Sequence, residues 1–333
     1  MGHAPAPIVE ERQEELALSI KVVNYAGWFG WNMRKYFPKL AIWAYLKLQY
    51  FKRDKDQKDF IDMYLSQKEA PHPEVVNIET INRCNNTCAF CTANRNEEKR
   101  PFAKISDELY KSVIDQLADW GYSNKLTLYG NNEPWMDTRI VEFHKYAREK
   151  LPNAYIFMST NGILLNIEKL DSIVPYVNQI IINNYSMEMK LYPHIQEIYD
   201  HVKANPEKYK DVEIIIQMRY LNEYLTNRAG SAPNRKGEKY KVIKKTCLMP
   251  FTDMWIEPNG NMGLCCCDNF EKTRMGDLTK DKLVDIWNND IYRETRKKMR
   301  NGRHNIGFCQ YCDFIDAGLR GNIAKEELMK NKR

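Results

Sequence analysis

Between residues 73 and 230 the sequence alternates short β-branched runs with helical segments. That rhythm confines the chain to an α/β fold with a parallel sheet and right-handed crossovers. Strands are expected at 75–81, 125–129, 154–158, 179–183 and 212–218. Ser106 is a plausible N-cap, with Asp107 and Glu108 in the first turn of a helix running to about Trp120. Further helices are expected from about 137 to 150, over 166–174, and over 187–204 with a break at Pro193. Five or six such units are too few for a closed eight-stranded barrel.

The first of two cysteine groups follows the first strand. Asn82-Arg83-Cys84-Asn85-Asn86-Thr87-Cys88-Ala89-Phe90-Cys91 spaces three thiols by four and three residues. They fall on a loop at a strand end, where α/β folds carry their sites. A structural zinc or an ordinary iron–sulfur cluster takes four protein ligands. Three thiolates on a four-iron cube leave one iron open to a small ligand. A zinc site with a distant fourth ligand, or three unrelated thiols, are the alternatives.

The other six cysteines lie between 247 and 312. Two short strands meeting at Pro258-Asn259-Gly260 read as a hairpin, because Asn-Gly favours a tight turn. The hairpin folds Cys265 back towards Cys247. A helix through Leu283, Ile286, Trp287 and Tyr292 is expected to end near Gly302, before Cys309-Gln310-Tyr311-Cys312. Hairpin base, hairpin end and CxxC supply four thiols, enough for a cluster with no open iron; zinc suits such a set equally well. Alternation along an extended chain puts Cys265 and Cys267 on one face and Cys266 on the other, as a small buried hydrophobe. Clustered thiols favour metal over disulfides. Met1 to Pro7 show no secretory pattern and Ala6 breaks the myristoylation pattern, so a cytoplasmic location is expected.

CxxxCxxC with an aromatic before its last cysteine, here Phe90, resembles the cluster loop of the radical S-adenosylmethionine (SAM) superfamily. Gly130-Asn131-Asn132-Glu133-Pro134 resembles that family's Gly-Gly-Glu-Pro, with asparagines where glycines are usual. Asn tolerates unusual backbone dihedrals, so the turn is expected to survive. Ser159-Thr160-Asn161-Gly162 resembles the Ser/Thr-Asn-Gly of the next strand end, and Asn183 the polar residue after it. Arg219 is a candidate partner for the SAM carboxylate, a surface ion pair being the alternative. The stretch from Cys247 to Cys312, with Gly276-Asp277-Leu278 and Ile286-Trp287 inside it, resembles the family's SPASM/twitch region. No cysteine follows Cys312, which leaves room for one auxiliary cluster, the shorter twitch-like arrangement.

The resemblance implies a partial (β/α)6 barrel over 73–230, a helical N-terminal extension over 1–72, an auxiliary-cluster domain over 231–320 built on a hairpin and helix, and a basic tail over 321–333. It implies two [4Fe-4S] clusters. Cys84, Cys88 and Cys91 would hold the one that binds SAM; Cys247, Cys265, Cys309 and Cys312 would hold the auxiliary one. It puts SAM against Phe90, Gly130, Asn131, Asn132, Glu133, Ser159, Asn161, Asn183 and Arg219. It implies reductive cleavage of SAM to a 5′-deoxyadenosyl radical that takes hydrogen from a substrate, with an electron donor such as flavodoxin or ferredoxin. Cys266 and Cys267 then become candidate hydrogen donors to a substrate radical.

The net charge of +6 permits an anionic substrate. No nucleic-acid module appears, so no nucleic-acid partner is expected. Arg228 and Arg235, in a loop-like stretch over 220–246, are candidate anchors for a small polar or anionic, sugar-like substrate; a solvated linker is the alternative. Leu16, Ile20 and Val23 recur at helical spacing, so a helix is expected from about 10 to 25. The basic aromatic stretch 25–52 suits packing on the barrel, the preferred assignment, or peripheral contact with a membrane. With no strand expected before residue 73, an N-terminal peptide-recognition domain is disfavoured. That favours oxidation or epimerisation of a small molecule over modification of a ribosomally made peptide. From another class, a non-catalytic iron–sulfur or zinc scaffold is the alternative.

Overall fold

A computed structural model describes residues 20–24 and 57–314. Nine strands are found among them: β1 (Ile20–Asn24), β2 (Val75–Ile78), β3 (Lys125–Thr127), β4 (Tyr155–Thr160), β5 (Gln179–Tyr185), β6 (Glu213–Arg219), β7 (Asp253–Ile256), β8 (Asn261–Gly263) and β9 (Gly276–Asp277). They form one open sheet in the order β1-β6-β5-β4-β3-β2-β7-β8-β9. From β1 to β7 every pairing is parallel; β8 and β9 turn antiparallel. The fold is the open α/β sheet that the alternating pattern predicts, and it stops short of a closed barrel.

Two pairings lie beyond the sequence pattern. Residues 20–24 are a strand, not the helix expected there, and they pair with β6 from Ile20↔Ile214 to Asn24↔Met218. Helical spacing of Ile20 and Val23 competed with the β-branched run Ile-Lys-Val-Val, and an unpaired edge at β6 decides in favour of the strand. The expectation of no strand before residue 73 is corrected with it. The stretch 57–65 is helical. At the other edge β7 pairs with β2 in parallel, so the sheet passes without interruption into the second cysteine region. The expected hairpin is present, with Trp255↔Gly263 and Ile256↔Met262 in register and Gly260 at φ +87°.

Helices α1 (Asp107–Asp119), α2 (Ile140–Lys150), α3 (Ile167–Ile173) and α4 (Pro193–Ala204) follow strands β2 to β5. Ser106 caps α1 by accepting from the Leu109 amide at 3.1 Å. Tyr110, Val113, Ile114 and Leu117 form the buried stripe of α1, each contributing about 1.5–3 kcal/mol if fully withdrawn from water. Pro193 opens α4 rather than breaking a longer helix, since its missing N–H costs nothing in a first turn. The helix expected through 283–302 is two: α5 (Leu283–Trp287) and α6 (Asp290–Arg300). Asn289 separates them and caps α6 through the Tyr292 amide, at 2.8 Å. No helix among the described residues is long and apolar enough to cross a membrane. The barrel packing or membrane contact expected of 25–52 and the basic tail expected over 321–333 lie outside the described residues.

Candidate functional site

The ends of β3, β4, β5 and β6 are tied sideways by polar side chains. Glu133, at the turn after β3, is fully buried. Its carboxylate accepts from Thr160 Oγ1 at 2.6 Å, from the Asn161 amide at 2.7 Å and from the Trp135 amide at 3.2 Å. Burial pushes this carboxyl up to about 7 despite those three donors. Asn183 on β5 donates to Ser159 Oγ at 3.0 Å and to the Thr160 carbonyl at 3.2 Å. Arg219 ends β6 and reaches Asn183 Oδ1 at 3.5 Å, but its main partner is the buried Glu223, at 2.5 Å. Its guanidinium also lies 5.2 Å from the ring centres of both Phe90 and Tyr185. Arg219 is therefore paired inside the protein, not at the surface.

The first thiol loop hangs over this row. Its Ala89 amide donates to the Leu221 carbonyl at 2.8 Å, just past β6, and Asn94 Nδ2 donates to the carbonyls of Cys88 and Cys91 at 3.1 and 2.7 Å. Asn161 Nδ2 faces Asn85 Oδ1 at 2.7 Å and Cys84 Sγ at 3.7 Å. Burial pushes Cys84 and Cys88 up to about 12, and repulsion from Cys91 adds to it in both. The three thiols are thus near neighbours, but Cys84 and Cys91 stay partly exposed.

The turn Gly130–Pro134 survives its asparagines for a reason other than backbone tolerance. Positive φ in described non-glycine residues is confined to Met189, Arg228, Ala229 and Glu271. Instead the amides build the turn. Asn132 Oδ1 accepts from the Gly130 amide at 2.8 Å. Asn131 Nδ2 donates to the Cys266 carbonyl at 3.1 Å, across to the second cysteine region. Gly130 itself is required by crowding: a Cβ there would stand 2.9 Å from the Trp255 ring.

The second thiol set lines a pocket with Met249, Pro250, Leu264, Met299, Phe308 and Phe314. Cys247, Cys265, Cys309 and Cys312 are all on its wall, and so is Cys267. Cys265 and Cys267 share this wall, but not through the alternation expected of a strand: β8 ends at Gly263, and the chain turns at 265–268, where the Asp268 amide donates to the Cys265 carbonyl at 3.0 Å. Cys266 is off that wall and partly exposed rather than buried, though it still packs against the other thiols. Burial pushes Cys247 up to about 12 and Cys309 further still. Cys267 shares hydrogen bonds with Cys265, Cys266 and Cys312; its own thiol is pushed up, while its bond to Cys312 draws that thiol down. Among the described residues no three His, Cys, Asp or Glu groups close on one point as for a single metal ion. The donors are all sulfur, in apolar walls, with the Arg303 guanidinium beside them. Soft thiolate donors of this kind fit an iron–sulfur cluster.

Arg228 stands between the two thiol sets. Burial works against its charge, but Cys91 on one side and Cys266 and Cys267 on the other hold it charged. Nη1 donates to Asn131 Oδ1 at 2.6 Å and to the Cys266 carbonyl at 3.4 Å. Among the described residues Nε and Nη2 have no acceptor. Arg235 differs: Asp313, Glu238 and the Leu225 carbonyl take up its fork, so it braces the loop rather than facing a ligand. The sequence also left Thr160, Tyr185 and a buried group of Glu79, Glu98, Glu257 and Arg100 unassigned. Arg100 Nη1 donates to Glu79 at 2.8 Å and to Glu257 at 3.1 Å, while burial and the neighbouring Glu79 push the Glu257 carboxyl well above its ordinary range.

A radical SAM superfamily model matches residues 78–220, and a model described as an iron–sulfur cluster-binding domain, SPASM, matches residues 247–313. The chain is similar to the S-adenosyl-L-methionine-dependent 2-deoxy-scyllo-inosamine dehydrogenase of Niallia circulans, at 22% identity over 243 residues, 72% of this chain and 93% of the relative. Among solved structures it is similar to BtrN in complex with AdoMet and 2-DOIA, at 22% identity and TM-score 0.63, covering 74% of this chain and 95% of that one. It is also similar to Streptococcus suis SuiB bound to precursor peptide SuiA, at 14% identity and TM-score 0.50, covering 82% and 77%. The matched domains imply SAM and two [4Fe-4S] clusters.

Proposed function

The chain belongs to the radical SAM superfamily and carries an iron–sulfur cluster-binding domain after the barrel, and on that premise we propose that it dehydrogenates a small, polar, sugar-like substrate held by Arg228. When bound, SAM and the two clusters supply one-electron cleavage to methionine and a 5′-deoxyadenosyl radical, and a place for the electron that a dehydrogenation removes. Cys84, Cys88 and Cys91 would hold one cluster, the partial exposure of Cys84 and Cys91 leaving room for a further ligand. Cys247, Cys265, Cys309 and Cys312 would hold the other. Glu133, once deprotonated, would accept from the ammonium of SAM. Ser159, Asn161 and Asn183 offer polar atoms beside it, and Phe90 with Tyr185 an aromatic wall. Arg219, engaged by Glu223, orients that wall and adds positive charge near Cys88.

Arg228 carries the substrate assignment. A guanidinium between the two thiol sets, with donors to spare, suits hydroxyl or anionic groups of a substrate lying between them. Loss of hydrogen from a secondary alcohol carbon leaves one proton and one electron to remove. The second thiol set, on the far side of Arg228, favours oxidation over epimerisation. The reaction also needs an external one-electron donor, such as a flavodoxin or ferredoxin. The dehydrogenase relative, 93% of whose length is matched, supports a cyclitol or aminocyclitol substrate.

The test is anaerobic reconstitution with SAM, dithionite and carbon-deuterated 2-deoxy-scyllo-inosamine or related cyclitols. Deuterium should appear in 5′-deoxyadenosine with a ketone product formed one for one. Arg228→Ala should still cleave SAM slowly and lose the ketone. Deuterium transfer with an epimer as product, absent in Cys266→Ala or Cys267→Ala, would replace oxidation by epimerisation.

A further inference from the structure

Arg228 is fixed at both ends, and the two fixings belong to different cofactor sites. At its backbone the neighbouring Asn227 is locked to the CxxC segment. The Asn227 amide donates to Asp313 Oδ1 at 2.6 Å, its Nδ2 to the Tyr311 carbonyl at 2.7 Å, and the Asp313 amide returns a bond to Asn227 Oδ1 at 3.2 Å. Arg228 and Ala229 then both take positive φ, +46° and +54°, a backbone that non-glycine residues rarely adopt and that needs outside support. At the other end the guanidinium rests on Asn131, whose backbone lies in the turn that holds Glu133. Asn131 is 4% exposed, and both ends of its amide are engaged: Oδ1 accepts from Arg228, Nδ2 donates to the Cys266 carbonyl. Arg100 reaches the Asn131 carbonyl at 3.5 Å, linking the same residue to the buried carboxylates.

A continuous hydrogen-bonded line thus runs from the CxxC of the second thiol set through Asn227, Arg228 and Asn131 to the strand end beside the first. A glycine at position 131 has no side chain to complete it. We propose that Asn131 is a positioning residue that sets the Arg228 guanidinium for substrate and transmits ordering of the Gly130–Pro134 turn to the Asn227–Ala232 loop. SAM binding at the turn would then organise the substrate anchor before substrate arrives. This rests on the assignment of Arg228 to substrate, but the linkage is measurable without substrate.

The measurement is hydrogen–deuterium exchange by mass spectrometry on the reconstituted full chain, with and without SAM. In the wild type SAM should slow exchange in both the 130–134 and the 227–232 peptides. In Asn131→Ala SAM should still slow the first but not the second. There exchange should run about tenfold faster than in the wild type, the factor for one charge-assisted hydrogen bond lost. Asn131→Asp keeps an acceptor for Arg228 and should restore protection of 227–232, which separates positioning from a general loss of structure. With 2-deoxy-scyllo-inosamine as the kinetic probe, Asn131→Ala should raise KM by a larger factor than it lowers kcat. SAM-dependent protection of 227–232 that survives in Asn131→Ala, or that is missing from the wild type or from Asn131→Asp, overturns the proposal. Failure of the probe to be oxidised counts instead against the substrate assignment.

Discussion

The loop at Cys84–Cys91 and the pocket at Cys247–Cys312 present the same side chain in unlike surroundings. Around the loop the neighbours are polar: Asn85, Asn94 and Asn161 with their amides, and Glu133 with its raised carboxyl. Two of its three thiols keep contact with solvent. Around the pocket the neighbours are Met, Pro, Leu and Phe, five thiols share one wall, and Arg303 is the cation beside them. Burial raises thiols in both places, so burial alone does not separate them. The difference lies in what is left over: polar groups able to take a ligand at the loop, and apolar closure at the pocket. An open centre for chemistry and a closed one for electrons are what such surroundings favour.

The sharpest way to break that contrast is to empty one side. Cys84→Ala with Cys88→Ala and Cys91→Ala should abolish SAM cleavage and lower iron from about eight to about four per chain. Iron lost from both sites together would show that the pocket does not stand alone. Next, Glu133→Ala should weaken SAM binding about tenfold to a hundredfold with iron content kept, because it removes a charged acceptor and no ligand. Unchanged affinity by calorimetry would leave Glu133 as a brace between strand ends.

The same carboxyl gives the contrast a pH dependence. Its folded value of about 7 stands above the ordinary 4.5, so the folded chain holds that proton more tightly than the unfolded one. The resulting stabilisation is complete below 4.5 and is lost as pH rises through about 7. SAM, whose ammonium favours the carboxylate, should bind with proton release and more tightly from about pH 6 to about pH 8. Glu133→Gln should flatten both curves in urea unfolding and in SAM titration.

Smaller still, Gly130→Ala should cost about 1–3 kcal/mol by pressing on Trp255, read as a lowered midpoint in urea. The slightest effect is expected at Cys266, which is partly exposed and not on the pocket wall. Cys266→Ala should keep all its iron, whereas Cys265→Ala should lose the auxiliary cluster. Cys267→Ala decides whether the fifth thiol is a ligand or a hydrogen-bond donor to its neighbours: iron retained with a shifted cluster spectrum means a donor.

Local chemistry made much of this visible from the residues alone. The Ser106 cap and the Asn-Gly hairpin each depend on a few adjacent residues, and each is present. What escaped depends on partners far along the chain. Ile20–Asn24 became a strand because β6 offered an edge, not because its own pattern required one. Arg235 was expected to face a ligand, but Asp313 and Glu238 occupy it, and nothing near residue 235 announces Asp313. Asn131 looked like a tolerated departure from glycine; its purpose shows only when Cys266 and Arg228 come beside it.

The parallel pairing of β2 with β7 also bears on how the chain is made. Asn77 Nδ2 donates to the Met254 carbonyl, a partner 177 residues later in the sequence. During synthesis the strand that precedes the first thiol loop therefore waits, with one edge bare, until most of the polypeptide has emerged. Pairing over such a separation is slow, and a bare strand edge invites pairing with other chains. A nascent chain stopped before residue 253 should be aggregation-prone, and iron delivered to it would meet Cys84, Cys88 and Cys91 on a loop whose supporting sheet is unfinished. Cofactor loading would then follow completion of the chain rather than accompany it.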